Sequence, residues 1–406
     1  MNTINIESLS KDIESELRDN ILKFWIDNSV DRENGGFYGF ISNDLKTDLK
    51  HYKASVLNFR ILWTYSAAYR YYKDQMYLFM AERAYDYIIR NFIDDEYSGV
   101  YWTVNYKGEP LDSKKQTYSI AFAIYGLSEF YRATGRKESL DYAIKLYNAL
   151  EEHAYDYINK GYIEACSRDW SPIKDMSLSV KDMNAEKSMN THLHVMEAYT
   201  NLYRVWKDKG LERKLEELIN ITVNHIINPL TFQFQLFFDK NWRPLSKNVS
   251  YGHDIEGSWL LYEAAEVLGN DELLNLTQPI AIRMAKKVFS DGIDRRYGGL
   301  FYELENGTLE DFKEWWPQAE AVVGFTNAYQ LTGEACYLSE AIRFWGFINE
   351  HIIDKINGEW YWGTNVDGSR LMSNEKAGPW KCPYHNSRMC FEMLDRLKKI
   401  APSFAL

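Results

Sequence analysis

Cysteine is scarce in this chain. Cys166, Cys336, Cys382 and Cys390 are scattered without metal-ligand or disulfide-framework spacing, which argues against a stapled secreted scaffold and a thiolate metal cluster. No apolar run approaches the roughly 18 residues of a membrane span. Met1 to Leu9 lacks a basic stretch followed by an apolar one, so no secretory signal is read and a cytoplasmic protein is expected. No block of Lys or Arg occurs, and the formal net charge is −11, so neither a nucleic-acid nor a membrane partner is expected. Phosphate-cradling glycine loops, dinucleotide fingerprints and Gly-x-Ser-x-Gly elbows are missing, which leaves nucleotide and redox-cofactor chemistry without support. Linkers rich in Pro or Gly are missing too.

Aromatic residues, by contrast, make up 16% of the 406 residues, with 13 Trp and 30 Tyr. Six short aromatic segments punctuate the sequence: Gly35-Gly36-Phe37-Tyr38, Gly99-Val100-Tyr101-Trp102, Gly161-Tyr162-Ile163, Leu236-Phe237-Phe238, Gly298-Gly299-Leu300-Phe301-Tyr302 and Gly358-Glu359-Trp360-Tyr361. They recur at intervals of roughly 60 to 75 residues, and a recurrence of this kind marks a repeat architecture. Apolar spacing predicts helix pairs at about 52–71 and 75–93, 115–134 and 137–156, 186–207 and 211–227, 253–268 and 271–288, and 314–331 and 335–353. Single helices at about 7–28 and 384–400 remain. The first helix of each pair is apolar nearly all round, as in Ile120-Ala121-Phe122-Ala123-Ile124-Tyr125, and the second carries charge on one face, so the first belongs inside and the second outside. The pattern predicts an all-α (α/α)6 barrel, twelve helices in two rings around a funnel-shaped pocket, with residues 1–406 as one catalytic domain. An open α-solenoid is the other fold that the pattern allows. Two long loops, about 166–185 and 228–250, have the length of pocket covers.

In such a barrel the starts of the inner helices converge. They offer Asn58 and Arg60, Tyr118 and Phe122, Asn190 and His194, His253 and Glu256, Trp315, Trp316 and Glu320, and Trp380, Tyr384, His385 and Arg388. His253 and Glu256 share a helix face, as an acid–base pair or as an N-terminal capping network. His194, on an apolar face, reads either as a core histidine or as a site residue. Arg60 inside an apolar helix needs an ion pair or an anionic ligand. Trp315 and Trp316 suit the core or the face of a sugar ring. Three histidines could ligate zinc, but they lack a local ligand spacing. Two histidines without a metal suit proton transfer at a carbon beside a carbonyl, such as C2 of an opened sugar, with Arg60 stabilising the enediolate. A glycoside hydrolase would instead need two carboxylates, for which Glu256 and Glu320 are the candidates. A non-enzymatic binder is a third reading.

Seven segments carry a resemblance. They are Glu33-Asn34-Gly35-Gly36-Phe37-Tyr38-Gly39, Arg60-Ile61-Leu62-Trp63, Thr117-Tyr118-Ser119-Ile120-Ala121-Phe122, Lys187-Ser188-Met189-Asn190-Thr191-His192-Leu193-His194, Ser250-Tyr251-Gly252-His253-Asp254-Ile255-Glu256, the run from Trp315 to Phe325, and the run from Trp380 to Met389. In these the chain resembles the cellobiose 2-epimerases of the N-acylglucosamine 2-epimerase group. The resemblance implies an (α/α)6 barrel without metal or organic cofactor, acting on the reducing-end sugar of cellobiose or a related β-1,4-linked disaccharide. It implies that His253 and His385 move the C2 proton, that His194 assists ring opening or binds the reducing-end sugar, and that Glu256 supports His253 and contacts substrate. Arg60, Tyr118 and Asn190 would hold sugar oxygens; Trp316 and Trp380, with Trp315, would stack on the rings; Phe122 joins this substrate-binding set. A monomer or weak homodimer is expected. Mannose 2-epimerases and aldose–ketose isomerases share most of these motifs. The chain departs from the family pattern at Asn58-Phe59, Gln116, Gly257, Pro317 and Ser387, none of them a proposed acid or base.

Overall fold

Five helices of this chain are apolar nearly all round, and a sixth, at the C-terminal end, is buried over its first two turns, so each must be largely surrounded by other helices. The computed structural model describes residues 6–401; residues 1–5, part of the segment read for a signal, and residues 402–406 lie outside the described residues. The inner helices are α3 (Ser55–Tyr72), α5 (Thr117–Thr134), α7 (Met189–Val205), α9 (Tyr251–Leu268), α11 (Trp315–Thr332) and α13 (Tyr384–Ile400). Each packs on the next, and α13 packs back on α3, which closes the ring. The outer helices α4 (Gln75–Asn91), α6 (Lys137–Ala149), α8 (Lys209–Ile221), α10 (Asp271–Asp291) and α12 (Ala335–Phe347) lie against them. The sixth outer helix is α1 (Ile6–Ser15), which continues through a π-helical stretch (Glu16–Leu22) into α2 (Lys23–Asn28) and packs on α13. The fold is an (α/α)6 barrel with the unpaired terminal helices closing the ring.

At one end of the barrel the connections are tight. Lys73, Gly135, Gly269 and Gly333 end inner helices in the left-handed conformation, and Asp74, Asp208 and Asn270 cap the outer helices α4, α8 and α10 with their side chains.

The other end carries the repeat. Six turns leave the outer helices and are closed by the bridges Val30–Phe37, Ile93–Val100, Tyr155–Tyr162, Ile227–Phe234, Ile293–Leu300 and Ile353–Trp360. In each turn one side chain, from Asp31, Asp94, Asp156, Asn228, Asp294 or Asp354, accepts hydrogen bonds from the amides two and three residues on. The fourth aromatic segment is therefore corrected: its equivalent of Phe37 is Phe234, not Phe237 or Phe238, and Phe232 (φ +58°) takes the left-handed conformation that Gly35, Gly298 and Gly358 take in three other turns and Ser98 and Lys160 in the remaining two. Gly257 makes room for this turn, because a Cβ there would lie 2.2 Å from the Phe234 ring.

Two extended residues precede each of the inner helices α3, α5, α7, α9 and α11. Helical periodicity missed these pairs, Lys53-Ala54, Lys115-Gln116, Lys187-Ser188, Val249-Ser250 and Lys313-Glu314, because two-residue strands have no period to read. Each pairs with the strand after the next turn, and Ile41 pairs with Ala377 to complete the circuit across the termini. Buried lysines lock the turns to these strands: Lys53 to Asp31 (2.7 Å), Lys115 to Asp94 (2.7 Å), Lys187 to Asp156 (2.9 Å) and Lys313 to Asp294 (2.9 Å), with Lys376 on Asp354. Only the fourth repeat lacks the pair, and there both charges are replaced together: Asn228 stands for the acid and Val249 for the lysine.

A buried pair is costly to break from one side, at about 3–5 kcal/mol, because the survivor is left uncompensated. Lys53→Val is therefore expected to lower the thermal midpoint, and Asp31→Asn with Lys53→Val, which copies the fourth repeat, to recover at least half the loss. A double variant no more stable than the single one would contradict the pairing as the source.

Candidate functional site

Above the starts of the inner helices lies a cavity of about 320 Å³. Of the predicted residues, Arg60, Tyr118, Asn190, His194, His253, Glu256, Trp315, Trp316, Trp380 and His385 line it. Phe122 does not. It lies behind the wall, with the Arg60 guanidinium 4.2 Å from its ring centre and the His194 ring 4.8 Å away. Glu320 and Arg388 are also one layer back.

Each of the three lining histidines has Nδ1 occupied by an oxygen. His385 meets Glu320 (2.7 Å), His194 meets Glu197 (2.8 Å) and His253 meets Ser250 Oγ (2.7 Å). An Nδ1–H donated to these oxygens leaves Nε2 as the free base. Glu256 departs from expectation. It turns away from His253 to accept from Arg388 (2.5 Å) and lies 3.9 Å from His385. The N-terminal capping network is not formed, since no side chain caps α9; Asp254 instead accepts from the Phe234 amide (2.7 Å) of the preceding turn. His192, two residues before His194, shows the contrast with a structural histidine: Ser188 O and the Tyr162 amide occupy both ring nitrogens. Burial holds the proton affinity of His253 down at about 3, helped by the positive fields of His194 and Arg60. Burial, Arg60 and Arg388 likewise hold His385 well below its ordinary value. Both imidazoles are neutral near neutral pH.

Arg60 settles one alternative. Among the described residues no carboxylate pairs with it; Nη2 donates to Tyr118 Oη (2.7 Å), and the Phe122 and Tyr384 rings lie 4.2 and 4.9 Å from the guanidinium. Aromatic faces thus stabilise a cation whose charge is not cancelled, at the cavity wall. Arg388 is the opposite case. It bonds Glu197, Glu256 and Glu320 in a buried cluster. Burial raises the Glu197 carboxyl, but Arg388 and His194 outweigh it and bring it to about 2. Burial and mutual repulsion keep Glu256 above its ordinary range. Glu256, Glu320 and His385 lie close enough for a metal, but the guanidinium already stands against both carboxylates.

Trp316, rather than the buried Trp315, is the open tryptophan. Its ring lies 4.6 Å from His253 and 5.5 Å from His385. Gly252 permits this, since a Cβ there would come within 2.6 Å of the indole. Sequence reasoning missed Glu314, which accepts from the indoles of both Trp316 and Trp362 (2.9 Å each) and which burial lifts to about 7. It also missed Tyr302, Glu303 and Trp362 as lining residues. The position of Glu314, last before an inner helix, was readable once the repeats were aligned. Loop 166–185 contributes the lining segment 178–182, whereas no residue of 228–250 lines the cavity.

Residues 35–388 match the family model of N-acylglucosamine 2-epimerase. The chain is 50% identical to a cellobiose 2-epimerase of Bacteroides fragilis, covering 96% of this chain and 99% of that one. Identity to a cellobiose 2-epimerase of Dictyoglomus turgidum is 38% over 97% of this chain and all of that one. The solved cellobiose 2-epimerase of Bacillus thermoamylovorans superposes with a TM-score of 0.92 at 39% identity, covering 96% of this chain and all of that one.

Arg388→Met would strip three buried carboxylates of their cation. Glu256 and Glu320, already above the ordinary 4.5, would rise further, and Glu197, held low at about 2, would rise with them, so the folded state would bind more protons than that of the parent protein at and above that pH. The deficit in thermal midpoint against the parent protein is expected to be smallest near pH 4.5 and to widen toward pH 8. A deficit independent of pH would contradict the charge account.

Proposed function

This chain belongs to the N-acylglucosamine 2-epimerase family of carbohydrate epimerases, and on that premise we propose that it inverts C2 of the reducing-end sugar of a β-1,4-linked disaccharide, converting cellobiose to glucosyl-mannose. The observation that carries this is the pair of neutral imidazoles, His253 and His385, set around the Trp316 ring with Nδ1 of each occupied. We take residues 1–406 as one catalytic unit, since all six inner-helix starts, or the strands just before them, supply a part.

In this reading the reducing-end sugar opens to its aldehyde with His194 assisting, and the C2 proton becomes acidic. One imidazole takes that proton and an enediolate forms. Arg60 and Tyr118 would stabilise the negative charge that develops on the sugar oxygens, a role supported by the lack of a carboxylate partner for Arg60 among the described residues. The other imidazole, protonated from solvent, delivers a proton to the opposite face of C2. Glu320 fixes the ring of His385 and supports its positive charge; Ser250 does the first for His253 without adding charge. Trp316 and Trp380 present faces for the C–H surfaces of the sugars, and Asn190 and Glu256 meet hydroxyls.

A hydrolase on the same frame is less well supported. Of its two candidate carboxylates only Glu256 lines the cavity, and Arg388 bonds both. Mannose epimerisation and aldose–ketose isomerisation use the same first step and differ in where the proton returns.

Incubation with cellobiose is expected to give a disaccharide of unchanged mass whose reducing end is mannose, with His253→Ala and His385→Ala each slowed at least about 100-fold, the scale of one acid–base group. Release of glucose, or a ketose as the main product, would contradict the reading.

A further inference from the structure

A second cavity, of about 370 Å³, adjoins the catalytic one, and the two share Leu178, Ser179, Val180 and Trp380 as walls. Its remaining lining is of a different kind from the catalytic wall. It has no histidine, and its acid and base, Asp175 and Lys114, stand at a rim with Ser177, while Trp102 and Tyr52 present aromatic surface. The Trp102 ring stands 6.1 Å from that of Trp380 at 57°, so the two indoles form a corner on the boundary between the cavities. Lys114 places its ammonium 5.2 Å from the centre of the Trp102 ring and donates to Ser177 O (3.3 Å), which fixes that wall to the 178–180 segment. Val180 at the tip of this segment is fully exposed, so the partition ends in solvent rather than in core.

Aromatic faces with a few charged and hydroxyl groups at the edge are the chemistry that holds a hexose, C–H face against ring and hydroxyls to the rim. On the proposed reading the next unit lies against Trp380, which is also a wall of the second cavity, so a chain that continues past Trp380 would enter that cavity. We propose that this cavity is a binding subsite for a third β-1,4-linked hexosyl unit, with Trp102 as its platform and Lys114 and Asp175 as hydroxyl partners, so that the enzyme takes trisaccharides by a dedicated contact. The proposal rests on the disaccharide reading above and extends it along the substrate.

The test compares steady-state kinetics on cellobiose and cellotriose for the parent protein, Trp102→Ala and Lys114→Ala. Trp102→Ala is expected to lower kcat/KM for cellotriose about tenfold, mainly through KM, the scale of one lost aromatic contact. Lys114→Ala should act in the same direction by a smaller factor, and both variants should stay within about twofold of the parent on cellobiose. Equal losses on the two sugars, or none on cellotriose, would overturn the subsite. A parent protein that does not epimerise cellobiose would overturn the disaccharide reading itself, and that outcome is separate from the comparison between variants. Because Lys114 lies on the rim, its variant keeps the test open if Trp102→Ala disturbs Trp380.

Discussion

The structure depends on how a ring of apolar helices fixes the height at which each helix begins. Packing among apolar faces is strong but tolerant of sliding, since one apolar contact replaces another. The buried aspartate–lysine pairs are not tolerant. Asp31, Asp94, Asp156, Asp294 and Asp354 each organise a turn through backbone amides and then hold one ammonium. Short antiparallel pairs tie the turns to the strands before the inner helices. Register at the active end is thus set by charge and hydrogen bonding, while bulk stability comes from apolar burial.

That division lets the site hold two unlike arginines. Arg388 is saturated by Glu197, Glu256 and Glu320 and works as an internal strut from which Glu197 and Glu320 reach their histidines. Arg60 is surrounded by π faces and a phenol, so its field is left for the cavity. Burial first, and with it the field of Arg60, depress His253 and His385, with Arg388 adding to the effect on His385. A site arranged in this way favours a bound anion and keeps its bases unprotonated until an anion forms.

Much of this was legible in the sequence. The helix count, the inner and outer roles and closure across the termini follow from apolar spacing, because burial on all sides leaves a continuous signal. Arg60 stood out as a charge in an otherwise apolar helix, His253 by sharing a helix face with Glu256, and His385 by its place among polar and aromatic residues that open an inner helix. What was not legible depends on distance in space. Glu256 was assigned to His253 by helix geometry, yet Arg388, 132 residues further on, claims it. Glu314 is set apart only by the two indoles that meet it in space. The Asp–Lys locks are separated by 19 to 31 residues, and only aligning the repeats by their turns makes them visible. The misplaced fourth segment had the same cause: without its glycine, Phe232-Gln233-Phe234 does not look like the other turns.

The central claim is that two histidines, brought together by the repeat, act from opposite faces of one carbon. A proton that arrives from a different base than the one that left must come from solvent. Epimerisation of cellobiose in deuterated water, followed by NMR of the mannose-ended product, is the direct measurement. The account predicts one deuterium at C2 in each molecule of product; product that retains the substrate's own proton at C2 would contradict it.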